Sequence, residues 1–383
     1  MISRIASKFN FCGLAFTVPH ERIAFARNDA LRYFKRFRGL ATHSDAIVYT
    51  DHGDPRKVLR RVTHDLPPQL KNDEVLLRML AAPINPADIN MIQGVYPVRP
   101  ALPAVGGNEG VAEVVEVGSS VTGLQPGNWV IPSFSGWGTW KTFAVCPGTE
   151  LIKIPNDILL PTAATLSVNP CTAYRMLTDF EQLSPGDVVI QNGANSGVGQ
   201  AVIQLAAEMS LKTVNIVRSR PDIDQLVKML KDLGASHVIT DEFVRTPEMQ
   251  ELMKSLPKPK LGLNCVGGKH VADLLKYLAK RGSLVTYGGM SKQPLMVPTG
   301  SLIFNDVKIR GYWMTQWNNE NKNTTESEEM WKYIGGLAQS GRLRAPVHTL
   351  VPFEQFTDAV AKSMEPLITR KQILVMDSKP NKN

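Results

Sequence analysis

From residue 45 to about residue 155 the chain runs in short β-type segments, at 75–80, 110–117, 128–132 and 141–145. The loop at 101–110 and the Pro126-Gly127 pair punctuate them. Short runs separated by turn residues predict a compact, mostly antiparallel, barrel-like domain. From Pro161 onward the pattern changes. Apolar runs at 187–191, 214–217, 237–239, 261–265 and 283–287 alternate with helical patterns as far as Leu302. Such alternation predicts an α/β doubly wound sheet of buried parallel strands. The tail adds a helical stretch at 326–340, a strand at 348–352, a helix at 353–364 and a last strand at 372–376, expected to return to the first domain.

The run at 187–190 leads directly into Gln191-Asn192-Gly193-Ala194-Asn195-Ser196-Gly197-Val198-Gly199-Gln200, and Val198, Val202, Leu205 and Ala206 then recur at helical spacing. This reads as strand, glycine-rich turn and helix start, an arrangement that lets backbone approach a pyrophosphate while helix N–H groups face it. The spacing is Gly-x3-Gly-x-Gly and not the usual Gly-x-Gly-x-x-Gly, so a tight turn without a ligand stays open on the glycines alone. The next strand, 213–217, ends in Arg218-Ser219-Arg220. An Asp or Glu there would hold the ribose 2′-hydroxyl of NAD, whereas two guanidiniums and a hydroxyl suit a 2′-phosphate, so the expected cofactor is NADPH. A solvated basic loop is the alternative.

At 383 residues the chain has room for about two domains with full cores. Its net charge of +8 resembles a nucleic-acid signal until it is located. Residues 1–41 hold eight Lys or Arg against Glu21 and Asp29, so the leader carries +6 of the total and the remainder is nearly neutral. An arginine-rich, acid-poor leader with scattered apolar residues is what a mitochondrial transit peptide looks like, with cleavage expected between about Gly39 and Ala46. A disordered basic tail on a cytosolic protein is the alternative. The stretch at 9–18 is too polar for a secretory signal, and no later segment offers the roughly 18 apolar residues of a membrane span. Cys12, Cys146, Cys171 and Cys265 have no metal-ligand spacing and are expected to be buried thiols in a reducing matrix.

The β-rich front, the glycine turn and the segments 82–86 and Ala87-Asp88-Ile89-Asn90 resemble the medium-chain dehydrogenase/reductase superfamily over nearly all of residues 45–376. More narrowly, Gln93-Gly94-Val95-Tyr96-Pro97, Gly106-Gly107-Asn108-Glu109-Gly110, Leu166-Ser167-Val168-Asn169 and the segment from Tyr287 to Pro294 are similar to its mitochondrial trans-2-enoyl-thioester reductase branch. The resemblance implies a GroES-type catalytic domain in two parts, 42–168 and 317–383, around a Rossmann NADP-binding domain at 169–316. It implies NADPH-dependent reduction of a 2-enoyl thioester carried by acyl carrier protein or coenzyme A, in a homodimer of the mitochondrial matrix.

Many superfamily members are zinc alcohol dehydrogenases, but their Gly-His-Glu motif is here Gly107-Asn108-Glu109, no Cys lies in the segment 82–90, and no four-cysteine lobe exists. The expectation is a zinc-free enzyme in which hydrogen bonds polarise the substrate and a side chain supplies the proton. The resemblance assigns that proton to Tyr96; a tyrosine merely packed before Pro97 is the alternative. It assigns Asn169 to the nicotinamide ribose or substrate, Asn195, Ser196, Gly197 and Val198 to the pyrophosphate, and Tyr287, Gly288, Gly289 and Met290 to the flank of the nicotinamide. Tyr312, Trp313 and Met314 are expected to close over the ring, with an apolar interface cluster as the alternative. Lys371 is expected to reach the cofactor phosphates unless it is simply solvated. Asn169 has the alternative of a helix cap.

Two other functions stay open on the sequence. A quinone or simple-enone reductase would use the same fold, although a dedicated phenol is of little use to quinone reduction. A non-enzymatic nucleic-acid or transcription-related role draws only on the basic pI, and no helix-turn-helix, zinc finger or basic helix is visible.

Overall fold

The computed structural model describes residues 42–376, so the expected leader lies outside the described residues. The front half contains β1 (His43–Tyr49), β2 (Arg60–Asp65), β3 (Glu74–Pro83), β4 (Ala104–Val105), β5 (Val111–Val117), β6 (Trp129–Pro132), β7 (Phe143–Pro147) and β8 (Leu151–Ile154). The ten-residue β3 organises it. One edge of β3 pairs with β5, while its other edge pairs first with β7, over Glu74 to Arg78, and then with β16 (Lys371–Val375), over Ala81 to Pro83. Two register irregularities in the β3–β5 ladder bend the sheet at this point. The last strand therefore pairs with the front half, and β15 (His348–Pro352) lies parallel beside it.

The second half forms a six-stranded parallel sheet from β9 (Val188–Asn192), β10 (Lys212–Val217), β11 (His237–Thr240), β12 (Leu261–Asn264), β13 (Ser283–Thr286) and β14 (Lys308–Gly311), in the order β11-β10-β9-β12-β13-β14. All residues of β9 and β12 are buried, as the continuous apolar runs require when helices cover both faces. Strand order reverses between β9 and β12, and ligands of open α/β sheets bind at the carboxyl edge there. The helices Asn169–Asp179 and Gly197–Glu208 pack together, with Val202, Leu205 and Met176 fully buried.

The two halves share a core. Val111 and Ile131 of the front sheet lie in one apolar cluster with Val189 and Leu263 of the parallel sheet. Polar stitches reinforce it: Gln204 Oε1 accepts from the Arg344 amide at 2.9 Å and Gln200 Oε1 from the Val347 amide at 3.0 Å. The returning chain is thus fixed to the helix that follows the glycine turn.

Candidate active site

The glycine turn is shaped by close approach. Gly193 has φ of 59°, and a side chain there would run into the Cys265 thiol. At Gly199 a Cβ would lie 2.6 Å from the Ala194 carbonyl oxygen, so the helix start can fold back over the turn only as glycine. Ser196 caps this helix, its Oγ accepting from Gly199 N at 3.1 Å, and Gln200 Nε2 holds the Asn195 carbonyl at 2.8 Å. The amides of Gly197 and Val198, in the first helical turn, have no intrahelical acceptor to reach, which is the condition in which a helix N-terminus can receive an anion.

Asn169 stands against this helix start. It is the first residue of its helix, not the cap, and makes no capping bond. Its side-chain Nδ2 is buried without a hydrogen-bond partner, and a Cβ on Gly197 would lie 2.9 Å from it. A buried, unmet amide donor is costly unless a ligand acceptor completes it, so the turn and Asn169 together fit a bound dinucleotide.

At the end of β10, Ser219 N donates to Asp241 Oδ1 at 3.0 Å, which sets the backbone of the basic loop. The Arg218 side chain is exposed. Arg220 Nη1 reaches the Leu367 carbonyl at 3.3 Å, so one arginine of the pair also ties this loop to the segment before β16.

Beyond β13, the amides of Tyr287, Met290 and Ser291 donate to the carbonyls of Asn264, Cys265 and Val266. That ladder holds Gly288 and Gly289 at the carboxyl edge, where a Cβ on Gly289 would meet nothing. Burial pushes the Tyr287 phenol well above its ordinary range, with Cys265 and Ser196 beside it. The three residues after β14 divide. Tyr312 packs edge-on against Phe180, its hydroxyl 3.1 Å from Met314 Sδ, and Met314 is buried, so these two belong to the core. Trp313 alone turns outward: its Nε1 donates to the Tyr96 hydroxyl at 2.8 Å, and the rings meet edge to face with centroids 6.0 Å apart. Tyr96 thereby stands at the junction of the two halves, accepting from Trp313 and keeping its own proton available.

The front half also holds a buried polar cluster whose interactions the sequence did not reveal. Asp88 and Glu109 are buried, and burial pushes both carboxyls up, Asp88 to about 6. Asp88 Oδ2 accepts from the Asn85 amide at 2.7 Å, and its Oδ1 from Asn108 N and Nδ2 at 2.9 and 2.7 Å. Glu109 accepts from Asn85 Nδ2 at 2.8 Å and, through its other oxygen, from the Val168 amide at 2.7 Å. One carboxylate of the front half thus fixes the approach to Asn169. Lys371 is not solvated: its Nζ donates to Asn85 Oδ1 at 2.6 Å, and burial lowers its pKa against the pull of Glu109 and Asp88.

The same cluster decides whether zinc fits. Asn108 offers no imidazole, and its carboxamide is engaged by Asp88 on one side and by the Gly136 amide, at 2.6 Å, on the other. Among the described residues no three His, Cys, Asp or Glu side chains converge as a ligand set. The residues present do not fit a zinc centre.

Residues 71–156 match the family described as alcohol dehydrogenase GroES-like domain, and residues 197–330 the one described as zinc-binding dehydrogenase. The human mitochondrial enoyl-[acyl-carrier-protein] reductase is 55% identical over 331 residues, 86% of this chain and 88% of that one. This chain belongs to the mitochondrial enoyl-[acyl-carrier-protein] reductase family. The solved complex of Etr1p with NADP and crotonyl-CoA superposes with a TM-score of 0.82 at 36% identity, covering 87% of this chain and all of that one. A 2-enoyl thioester reductase Etr1p/Etr2p heterodimer from Candida tropicalis matches equally, at the same TM-score, identity and coverage. A putative NADPH:quinone reductase from Bacillus thuringiensis is more distant, with a TM-score of 0.77 at 26% identity over 88% of this chain and 99% of that one. The fold is the two-domain one of the medium-chain reductases, GroES-like and Rossmann-type.

Proposed function

We propose that this chain reduces the 2,3 double bond of trans-2-enoyl thioesters with NADPH, as a step of fatty acid synthesis in the mitochondrial matrix. The observation that carries the reading is the Trp313–Tyr96 hydrogen bond, which brings a phenol from the front half to the carboxyl edge of the nucleotide sheet. The family's name and the crotonyl-CoA in a structural relative support the substrate class, with acyl carrier protein or coenzyme A as carrier.

When bound, the nicotinamide supplies the hydride that adds to the substrate Cβ. The turn at 193–199 binds the pyrophosphate, Asn169 completes its unmet donor on the ribose or nicotinamide, and Arg218, Ser219 and Arg220 hold the 2′-phosphate. Lys371 belongs at the edge of this site, its ammonium set between Asn85 and the buried carboxylates. Addition at Cβ leaves negative charge shared between Cα and the thioester oxygen. Tyr96 donates its phenolic proton there and regains one from solvent, which its half-exposed position allows.

A homodimer is supported by β14, the outer strand of the parallel sheet, and by Leu302, Ile303 and Phe304 just before it, which are 47%, 66% and 74% exposed. An open strand edge beside exposed apolar side chains suits pairing with a second copy. Among the described residues no helix is long and apolar enough to cross a membrane.

Isotope tracing tests the mechanism. With NADPH deuterated at nicotinamide C4, the saturated thioester should carry the label at Cβ, and reaction in heavy water should place solvent deuterium at Cα. Label at Cα from the cofactor, or none in the product, would contradict the assignment.

A further inference from the structure

Three neighbouring strands of the parallel sheet end in polar side chains where apolar ones would pack as well. Asn192 closes β9, Asn264 closes β12 and Thr286 closes β13, and Asn192 and Asn264 are both buried. Their side chains form a row across the strands. Asn192 Nδ2 donates to Asn264 Oδ1 at 2.8 Å, and Asn264 Nδ2 donates to Thr286 Oγ1 at 3.1 Å.

The same carboxamide oxygens grip the loop beyond β12. Asn192 Oδ1 accepts from Cys265 N at 2.9 Å, and Asn264 Oδ1 accepts from Gly267 N at 3.0 Å. These backbone donors fix which end of each carboxamide is oxygen. The loop in turn receives the Met290 amide on the Cys265 carbonyl at 2.9 Å and the Ser291 amide on the Val266 carbonyl at 2.8 Å. A hydrogen-bonded path therefore runs from Asn192, one residue before the pyrophosphate turn, to the segment beyond β13. The named links are 2.8–3.1 Å long, although Asn192 and Asn264 are 72 positions apart.

We propose that Asn192 and Asn264 are positioning residues for hydride transfer. They tie the pyrophosphate turn to the 287–291 segment and so set the spacing at which both ends of the cofactor are held. They act through backbone, and the inference rests on the reading of this site as one for NADPH. A buried carboxamide is tolerated only when its bonds are made, and removing that of Asn264 leaves the Gly267 amide and Asn192 Nδ2 without the acceptor they share. A role confined to stabilising the sheet would weaken all nucleotide binding alike. Positioning predicts a split between the nicotinamide end and the adenosine end, where Arg218 and Arg220 stand.

The test compares two ligands on the full chain: NADPH, and adenosine 2′,5′-bisphosphate, which has the 2′-phosphate but no nicotinamide. Asn264→Leu should weaken NADPH about tenfold or more while bisphosphate binding stays within about twofold of native. Asn264→Asp keeps the accepting oxygen and should bring NADPH back to within about threefold. The milder Thr286→Val should show the same split at about threefold, and it decides the question if the leucine variant does not fold. The primary deuterium isotope effect on kcat should rise in both Asn264→Leu and Thr286→Val, since a misplaced ring slows the hydride step itself. Equal losses for both ligands, or no loss for either, would overturn the proposal. A native chain that binds the bisphosphate but not NADPH, or neither, would instead overturn the NADPH reading, and this inference with it.

Discussion

Tyr96 reaches the junction because the chain turns just before it. Gly94 has φ of 74°, and a Cβ there would lie 2.8 Å from the His52 ring, so the turn that delivers Val95 and Tyr96 needs glycine. Trp313 donates to the phenol oxygen, so the Tyr96 O–H proton is not used in that bond. Tyr96→Phe should lower kcat by about 10²–10⁴-fold with NADPH affinity unchanged, because only the proton donor is removed. Steady-state kinetics at saturating enoyl thioester check this, and unchanged turnover would take Tyr96 out of the mechanism. Under the proposed function, cofactor choice belongs to other residues. Replacing Arg218 and Arg220 together by alanine should raise KM for NADPH more than about tenfold and leave NADH little affected, since charged hydrogen bonds are worth about 1.5–3 kcal/mol. Arg220 also bonds the Leu367 carbonyl, so an equal loss with both cofactors would mean that the pair acts through that contact instead.

The strand, turn and helix at 188–208 are a single device, and its tightest point is Gly199. Alanine there sets a Cβ against the Ala194 carbonyl, and relief means moving either the turn or the helix. Gly199→Ala should destabilise the fold by about 1–3 kcal/mol and abolish NADPH binding. Thermal unfolding and cofactor titration measure both, and a variant with native Tm and affinity would show that the turn has room to spare. This device was legible in the sequence because its signals are local: a continuous apolar strand buried on both faces, then glycines, then helical spacing. The parallel strands β9, β12 and β13 were legible for the same reason. β2 was not, since all six of its residues are exposed and carry no alternation, and the strand expected from residue 141 begins at Phe143, Lys141 making only an isolated bridge to Ala46. The polar cluster was invisible as a unit because its members meet only in three dimensions; Lys371 and Asn85 are 286 positions apart. A faint signal existed for Asn264, a polar residue inside an otherwise apolar run.

At the scale of the molecule, the front half supplies the phenol, the parallel sheet supplies the nucleotide edge, and the returning strand β16 brings Lys371 between them. Core and hydrogen bonds cross the junction, with Glu109 holding the Val168 amide at the entrance to the nucleotide half. A chain beginning at Thr42 should fold and reduce enoyl thioesters at the full-length rate, while one beginning after Ala46, which is buried within β1, should lose stability, as unfolding and activity assays would record. A slow or unfolded product from Thr42 would make the leader part of the domain. Function of the whole is tested most directly by following NADPH oxidation by the purified chain with a trans-2-enoyl thioester and, in parallel, with a quinone. Rapid NADPH-dependent conversion of the thioester to its saturated product, with the quinone reduced far more slowly, is the predicted result. Efficient quinone reduction with the enoyl thioester untouched would contradict it.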